Sequence, residues 1–349
     1  MNDALRLESY LDMCVARKAQ VLPVCRAVLE LSNAGRRIAK ILARGSLAGV
    51  LSGVVGESID GDGQKTMDVM THDIVRDALR EAGVKQFASE EALEFEILDP
   101  NGSIAVAVDP LDGSSNIDTL APIGTIFSIL PAHGENPFFQ TGRTQLAAGF
   151  LIYGPQTALV LTIGEGTRIF TLDPETGTYM ASDSNIAVPA DTKEYAINSS
   201  NQRHWEPEMR AYISELIMGA GGPRGQDFNT RWLASMVGDA FRILVRGGIY
   251  LYPGDYRRGY ARGRLRLIYE ANPIAMLMEQ AGGAATDGRK PILDIVPTDL
   301  HQRSPLVFGS VNEVARVTAA YLSPAPQESP LFQTRSLFRK GAVAAASLI

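Results

Sequence analysis

Val108-Asp109-Pro110-Leu111-Asp112-Gly113-Ser114-Ser115-Asn116 sets two carboxylates three residues apart and follows them with a glycine, two hydroxyls and a carboxamide. The stretch before it, Ser103-Ile104-Ala105-Val106-Ala107-Val108, is small and β-branched and predicts a buried strand. Asp109 then falls at the strand end. Pro110 predicts a tight turn that brings Asp112 to the same centre, with the backbone carbonyl of Leu111 as a third oxygen. Oxygen ligands of this kind suit a hard cation such as Mg²⁺, which keeps part of its shell for water or phosphate. The amides after Gly113, with the Ser114 and Ser115 hydroxyls, supply donors for an anion. Taken alone, the run is equally compatible with a simple Asp/Pro/Gly bend. An EF-hand fits poorly, because a third acid and the position-12 glutamate are missing.

At 349 residues the chain can form two domains or one large one. A net charge of −6 argues against a general nucleic-acid binder but leaves small anions open. No apolar run approaches the roughly 20 residues that span a bilayer, and the first residues lack a secretory pattern. Cys14 and Cys25 form neither a disulfide framework nor a metal-ligand pattern, which fits buried thiols in a reducing, cytoplasmic setting.

Working outward, Val24, Val28, Leu31, Ile38, Ile41 and Leu42 predict a helix over 20–52. Residues 53–67, with Asp60-Gly61-Asp62-Gly63, read as a loop, and Asp68 as the cap of a second helix ending near Gly83. Strands are expected at 125–130, 147–153, 158–163 and 168–172, separated by turn signals, in a mostly antiparallel sheet packed on the early helices. The polar stretch 182–193 is a candidate domain boundary. Arg264 to Tyr269 alternates like a half-buried strand, and Asn272-Pro273 opens a helix that Gly282-Gly283 stops. Beyond about 323 the chain reads as a poorly packed tail.

Other acids can join the first pair. Glu270 would sit at a strand end before a helix, the same context as Asp109, or else be a solvated glutamate near a helix N-terminus. Glu90 and Glu91 are adjacent and share no helix face, so both reach one centre only from a loop or strand end; a helix start capped by Ser89 is the alternative. Asp62 and Asp68 could close over the site and orient a water, or serve as turn and cap. Arg231, Trp232, Tyr252, Arg264, Arg266 and Tyr269 could bind a second phosphate, or be surface charge and core aromatics.

In order from about residue 25 to 320, these residues resemble the class I fructose-1,6-bisphosphatases. The resemblance rests on Ala88-Ser89-Glu90-Glu91, on Asp109 to Asp118, on Gly124-Thr125-Ile126-Phe127, and on residues 247–253 and 265–283. A shorter Asp-Pro-Leu-Asp-Gly signature is shared with inositol monophosphatases; the long form joined to Leu265-Arg266-Leu267-Ile268-Tyr269-Glu270 is more specific. The resemblance implies an α/β (α+β) fold, the layered α/β/α/β/α sandwich of the sugar phosphatases. It implies an N-terminal domain over 1–187 with most metal ligands, a C-terminal substrate domain over 188–325, and a flexible tail over 326–349.

The same resemblance implies Mg²⁺, with Mn²⁺ as a substitute, held by Glu90, Glu91, Asp109, the Leu111 carbonyl, Asp112 and Glu270. Asp112, Gly113, Ser114 and Ser115 match the segment around the scissile 1-phosphate and sugar. Asp62, Asp68 and Glu91 match the loop and water-activating acids. Asn198, Arg231 and Tyr252, with Arg264 and Arg266, fall at the 6-phosphate end. In the family the arginine that Arg231 matches comes from a neighbouring subunit, so a homotetramer is implied. The implied activity is Mg²⁺-dependent hydrolysis of the 1-phosphate of fructose 1,6-bisphosphate, in gluconeogenesis or the Calvin cycle, without nucleic-acid or membrane partners. An enzyme that also cleaves sedoheptulose 1,7-bisphosphate, an inositol-phosphatase-like activity and a silent sugar-phosphate sensor are the alternatives.

The chain departs from the family pattern at several positions. Trp232 and Asn201 stand where two pocket tyrosines are expected, and Arg264 replaces a lysine. The Gly-Thr-Gly-Glu segment of the mammalian-type AMP site is missing near 25–45, and Ser103-Ile104 replaces its Lys-Tyr pair, so AMP inhibition is not expected. The cysteine loop of the chloroplast form is also missing.

Overall fold

The computed structural model describes residues 5–48, 53–57, 63–182 and 186–322. Two helices open it, α1 (Leu7–Arg17) and α2 (Leu22–Arg44). In α2, Val24, Ala27, Val28, Leu31, Ala34 and Ile38 repeat every three or four residues and are buried, so one stripe faces the core. The helix stops at a glycine cap, Gly45, with φ 49°, short of the expected residue 52. Residues 53–67, read as a loop, contain a hairpin of β1 (Val54–Glu57) and β2 (Gly63–Lys65). The chain passes from β2 straight into α3 (Thr66–Glu81), where the Thr66 N–H bonds the Gly53 carbonyl at 2.8 Å. Asp68 is therefore a buried residue of the first turn and not a cap. Asp62 and the tail beyond 322 lie outside the described residues.

The larger sheet comprises β3 (Gln86–Ser89), β4 (Glu96–Ile97), β5 (Ile104–Asp112), β6 (Ile123–Pro131), β7 (Ala147–Tyr153), β8 (Thr157–Thr162), β9 (Thr167–Leu172) and β10 (Tyr179–Ala181). Its order is β10-β9-β8-β7-β6-β5-β3-β4, antiparallel throughout except for the parallel pair β3–β5. That pair aligns Ser89 with Val108, so Glu90 and Asp109 follow side by side. A turn after Asp109 was expected. Instead β5 continues to Asp112 through a bulge: Asp109 pairs with Ile126 but Asp112 with Gly124, which leaves one extra residue on β5.

The second sheet runs β12 (Asn229–Thr230), β11 (Glu194–Ala196), β13 (Ile249–Tyr252), β17 (Leu306–Gly309), β15 (Ala284–Thr286). A small ladder joins β14 (Leu265–Arg266) to β16 (Arg303–Ser304). Alternation along the strands builds five layers. Leu31 and Ile38 of α2 and Val75 and Leu79 of α3 pack on Phe87, Val106, Val108 and Phe127. The opposite face, Ile126, Phe150 and Val160, meets α5 (Met236–Arg246) and α6 (Asn272–Gln280), which also cover Tyr250 and Phe308 of the second sheet. Ile249, Leu251 and Val307 point the other way, onto α4 (Pro207–Ile217) and α7 (Val311–Leu322). This is the α/β/α/β/α sandwich. No helix among the described residues is long and apolar enough to cross a membrane.

The strand expected over 264–269 is limited to β14. Residues Leu267–Ala271 form a buried π-helical turn leading into α6, so Glu270 projects from that turn and not from a strand end. Its carboxylate accepts the Arg266 N–H, which closes the turn.

Candidate metal centre

Carboxylate oxygens of Asp109, Asp112 and Glu270 lie within 4.8 Å of one another, and all three residues are buried. The bulge in β5 supplies the two aspartates and the π-helical turn the glutamate. Each aspartate has one oxygen tied to a backbone N–H, which fixes its carboxylate plane. Asp109 Oδ1 accepts from Leu111 at 3.0 Å, and Asp112 Oδ2 from Val237 in the first turn of α5 at 3.1 Å. The Pro110 carbonyl is held by Thr125 Oγ1 at 2.8 Å, which also meets the Tyr153 hydroxyl at 2.9 Å.

Glu90 and Glu91 follow the end of β3 and lie outside the cluster of Asp109, Asp112 and Glu270 oxygens. The Glu90 N–H donates to the Val108 carbonyl at 3.0 Å. Glu90 Oε1 meets Arg266 Nε at 3.4 Å, and Arg266 Nη1 donates to the His301 carbonyl at 3.1 Å. The Glu91 N–H donates to Ser89 Oγ at 3.3 Å, and that hydroxyl meets His72 Nδ1 at 2.9 Å.

Burial pushes Glu90, Asp109, Asp112 and Glu270 up. Glu90 rises to about 7, with Arg266 pulling it back and Glu91 and Asp112 adding to the rise. Asp112 rises to about 6, drawn back by the Val237 N–H. Asp109 and Glu270 stand well above the usual carboxylate range, through burial and then the charge of Glu90. Acids crowded and desolvated in this way repel one another, and a divalent cation relieves that repulsion. The donor set is oxygen only and buried, which fits Mg²⁺ or a similar hard ion.

The chain turns away from Asp112 at Gly113, whose φ of 77° favours glycine, into a 3₁₀ turn over Ser114–Thr119. Asn116 Nδ2 donates to the Ala234 carbonyl at 2.8 Å and ties that turn to the start of α5. Ser114 and Ser115 lie in its first turn.

A shallow, partly open cavity lies in the second sheet's domain, lined by Asn198, Asn201, Trp205, Tyr252, Arg257 and Tyr260 among others. Arg264 lies over the Tyr260 ring at 5.1 Å. Arg231 is not among the residues lining this cavity; it is exposed, with Nε 3.7 Å from Glu194. Trp232 stacks on Tyr250 at 5.7 Å. Arg266 is buried beside Glu90. Tyr269 is fully buried among Ala88, Ala105 and Phe138 and is a core residue.

Two family models cover nearly all of the described chain. "Fructose-1-6-bisphosphatase, N-terminal domain" matches residues 17–184, and "Fructose-1-6-bisphosphatase, C-terminal domain" matches 188–322. The chain belongs to the fructose-1,6-bisphosphatase family. It is 63% identical over 345 residues to the class 1 fructose-1,6-bisphosphatase of Acidiphilium cryptum (strain JF-5), covering 97% of each chain. It is 52% identical to that of Azorhizobium caulinodans, covering 90% of this chain and 98% of the relative. The crystal structure of Leishmania major fructose-1,6-bisphosphatase in holo form matches with a TM-score of 0.85 at 32% identity, covering 92% of this chain and 99% of that one.

Within this fructose-1,6-bisphosphatase fold, sequence reasoning missed the residues that position the acids. Val237 is the clearest case. Ser235 caps α5, accepting the Gly238 N–H at 3.2 Å, and that capping signal marks a helix N-terminus able to receive a carboxylate. Nothing local marks Thr125, His72 or His301, because each acts through a partner distant in sequence.

Proposed function

We propose that this fructose-1,6-bisphosphatase family member is a phosphoric monoester hydrolase that removes the 1-phosphate of fructose 1,6-bisphosphate, giving fructose 6-phosphate and inorganic phosphate. The convergence of Asp109, Asp112 and Glu270 within 4.8 Å carries the reading. With Glu90, Glu91 and the Leu111 carbonyl they would hold Mg²⁺, or Mn²⁺ in its place. When bound, the cation polarises the phosphoryl oxygens and neutralises the leaving alkoxide. The amides and hydroxyls of Gly113, Ser114 and Ser115 orient the 1-phosphate. Glu91, with Asp68 and Asp62, takes the proton of the attacking water. Asn198, Tyr252 and Arg264 receive the 6-phosphate. Arg266 holds Glu90 and is assigned there instead of to substrate.

Arg231 is exposed beside Glu194, which suits a residue offered to a neighbouring subunit and supports a homotetramer. The division into 1–187 and 188–325 is supported by the break between the matched segments at 184 and 188. Buried free thiols at Cys14 and Cys25 support a cytoplasmic setting.

The test is phosphate release from fructose 1,6-bisphosphate, sedoheptulose 1,7-bisphosphate and inositol monophosphate, with Mg²⁺ and with a chelator. We expect release from fructose 1,6-bisphosphate that the chelator abolishes. Release from neither bisphosphate would sink the reading, and equal release from both would make the enzyme bifunctional.

A further inference from the structure

The segment Asp255–Arg264 folds back on itself at the edge of the Asn198–Tyr252 cavity. The Tyr260 carbonyl accepts the N–H groups of Asp255 at 3.1 Å and Gly263 at 2.9 Å, and the Tyr260 N–H donates to Arg257 at 3.0 Å. The Tyr256 N–H donates to the His204 carbonyl at 3.0 Å and hangs the segment on the domain. The Tyr260 backbone is thereby fixed, and the residue lines the cavity.

Two guanidinium groups lie over that ring, Arg257 at 4.3 Å and Arg264 at 5.1 Å. Their charges are disposed differently. Arg257 is held by both oxygens of Asp255, with Nε at 3.1 and 3.0 Å, so its charge is spent locally. Among the described residues, no ion pair or hydrogen bond holds Arg264, which is exposed and lies against the ring. A carboxylate partner would occupy the in-plane N–H donors of a guanidinium, whereas an aromatic face holds the cation and leaves them available. Arg264 also acts on Tyr252: burial pushes the Tyr252 hydroxyl up, and Arg264 is the largest influence drawing it down.

We propose that Tyr260 is a positioning residue for the non-scissile phosphate: it lines the cavity and holds the Arg264 guanidinium beside it, over its ring, without neutralising it. This rests on the bisphosphate reading above. It gives the chain a device of its own at the end of the site where Trp232 and Asn201 supply no tyrosine hydroxyl.

Tyr260→Leu removes the ring, and Tyr260→Phe keeps it. We expect KM for fructose 1,6-bisphosphate to rise about tenfold in Tyr260→Leu, with kcat falling by less, and to stay within about threefold of wild type in Tyr260→Phe. Tyr260→Leu combined with Arg264→Gln should be no weaker than Arg264→Gln alone, because the ring acts through that arginine. Tyr260→Met carries the same expectation should the leucine variant not fold. Calorimetric titration with fructose 6-phosphate, which keeps only the non-scissile phosphate, should show the same loss without relying on turnover. An unchanged Kd and KM in Tyr260→Leu, or additive losses in the double variant, would overturn the role of Tyr260. A wild-type protein that binds fructose 6-phosphate through Tyr260 but releases no phosphate would overturn the hydrolase reading and leave this one standing.

Discussion

The Asp112 carboxylate accepts the backbone N–H of Val237 at 3.1 Å, across 125 positions of sequence. That bond fastens the bulge of β5 to the first turn of α5, where the helix dipole favours a negative charge. Asn116 makes a second tie just ahead of that turn, to the Ala234 carbonyl at 2.8 Å. The geometry of the acidic centre therefore depends on how α5 sits on the larger sheet.

Gly124 tests that dependence. It pairs with Asp112, and a Cβ there would lie 2.4 Å from the Leu151 carbonyl and 2.8 Å from both Val237 methyls. Gly124→Ala should push Val237 and its N–H away from Asp112. We expect a loss of about 1–3 kcal/mol in urea unfolding and weaker Mg²⁺ activation. Wild-type stability and activation would show that the contact is slack.

The pH dependence of stability follows from the crowded acids. Glu90 at about 7 and Asp112 at about 6 both lie above their ordinary values. A raised acid favours folding while it is protonated, and that contribution is lost as pH rises through the folded value. Asp239, raised to about 7 by burial, has the same sign. His72, lowered by burial, has the opposite sign and loses its contribution as pH falls. In chelator, Tm should decline from pH 5 to pH 8, and saturating Mg²⁺ should cancel most of the decline. A Tm that rises over this range in chelator would contradict the clustering.

Arg266 draws Glu90 down. Arg266→Met should raise Glu90 further, so that protons compete better with the cation. At pH 7 the Mg²⁺ concentration for half activation should rise about tenfold, and the acid limb of the activity profile should move to higher pH. An unchanged Mg²⁺ requirement would return Arg266 to the substrate role first assigned to it.

Far from the acids, Arg224 pairs with Glu313, both nearly buried, and the Tyr212 hydroxyl donates to Glu313 at 2.7 Å. Glu313→Gln would leave the guanidinium buried without its counter-charge and should cost about 3–5 kcal/mol. Activity of the folded fraction should persist. A loss below 1 kcal/mol, measured by urea unfolding, would mean that water reaches the arginine.

Much of the fold was legible because its signals are local. The runs at 147–153 and 168–172, bounded by turn signals, are strands within a residue of the expected bounds, and Gly83 and Gly282 follow the helices they were expected to end. The misreadings share one cause. Pro110 signalled a turn, but Thr125 and β6 hold the chain extended through a bulge, a tertiary effect with no local mark. Alternation over 264–269 signalled a strand, but only Leu265 and Arg266 find a partner, in β16, and the Glu270 carboxylate closes the next turn. The acids themselves were readable from their order along the chain; their anchors on Val237, Arg266 and Ser89 were not, since each comes from a segment whose own sequence is ordinary.

Mg²⁺ titration of phosphate release from fructose 1,6-bisphosphate, in wild type and in Asp112→Asn, tests the metal centre most directly. We expect the wild type to need Mg²⁺ and the variant to lose about a hundredfold or more in activity. The variant should be at least as stable as wild type in chelator, because one repelling charge is gone. Full activity of Asp112→Asn at the wild-type Mg²⁺ requirement would contradict the assignment of the cation to the Asp109, Asp112 and Glu270 cluster.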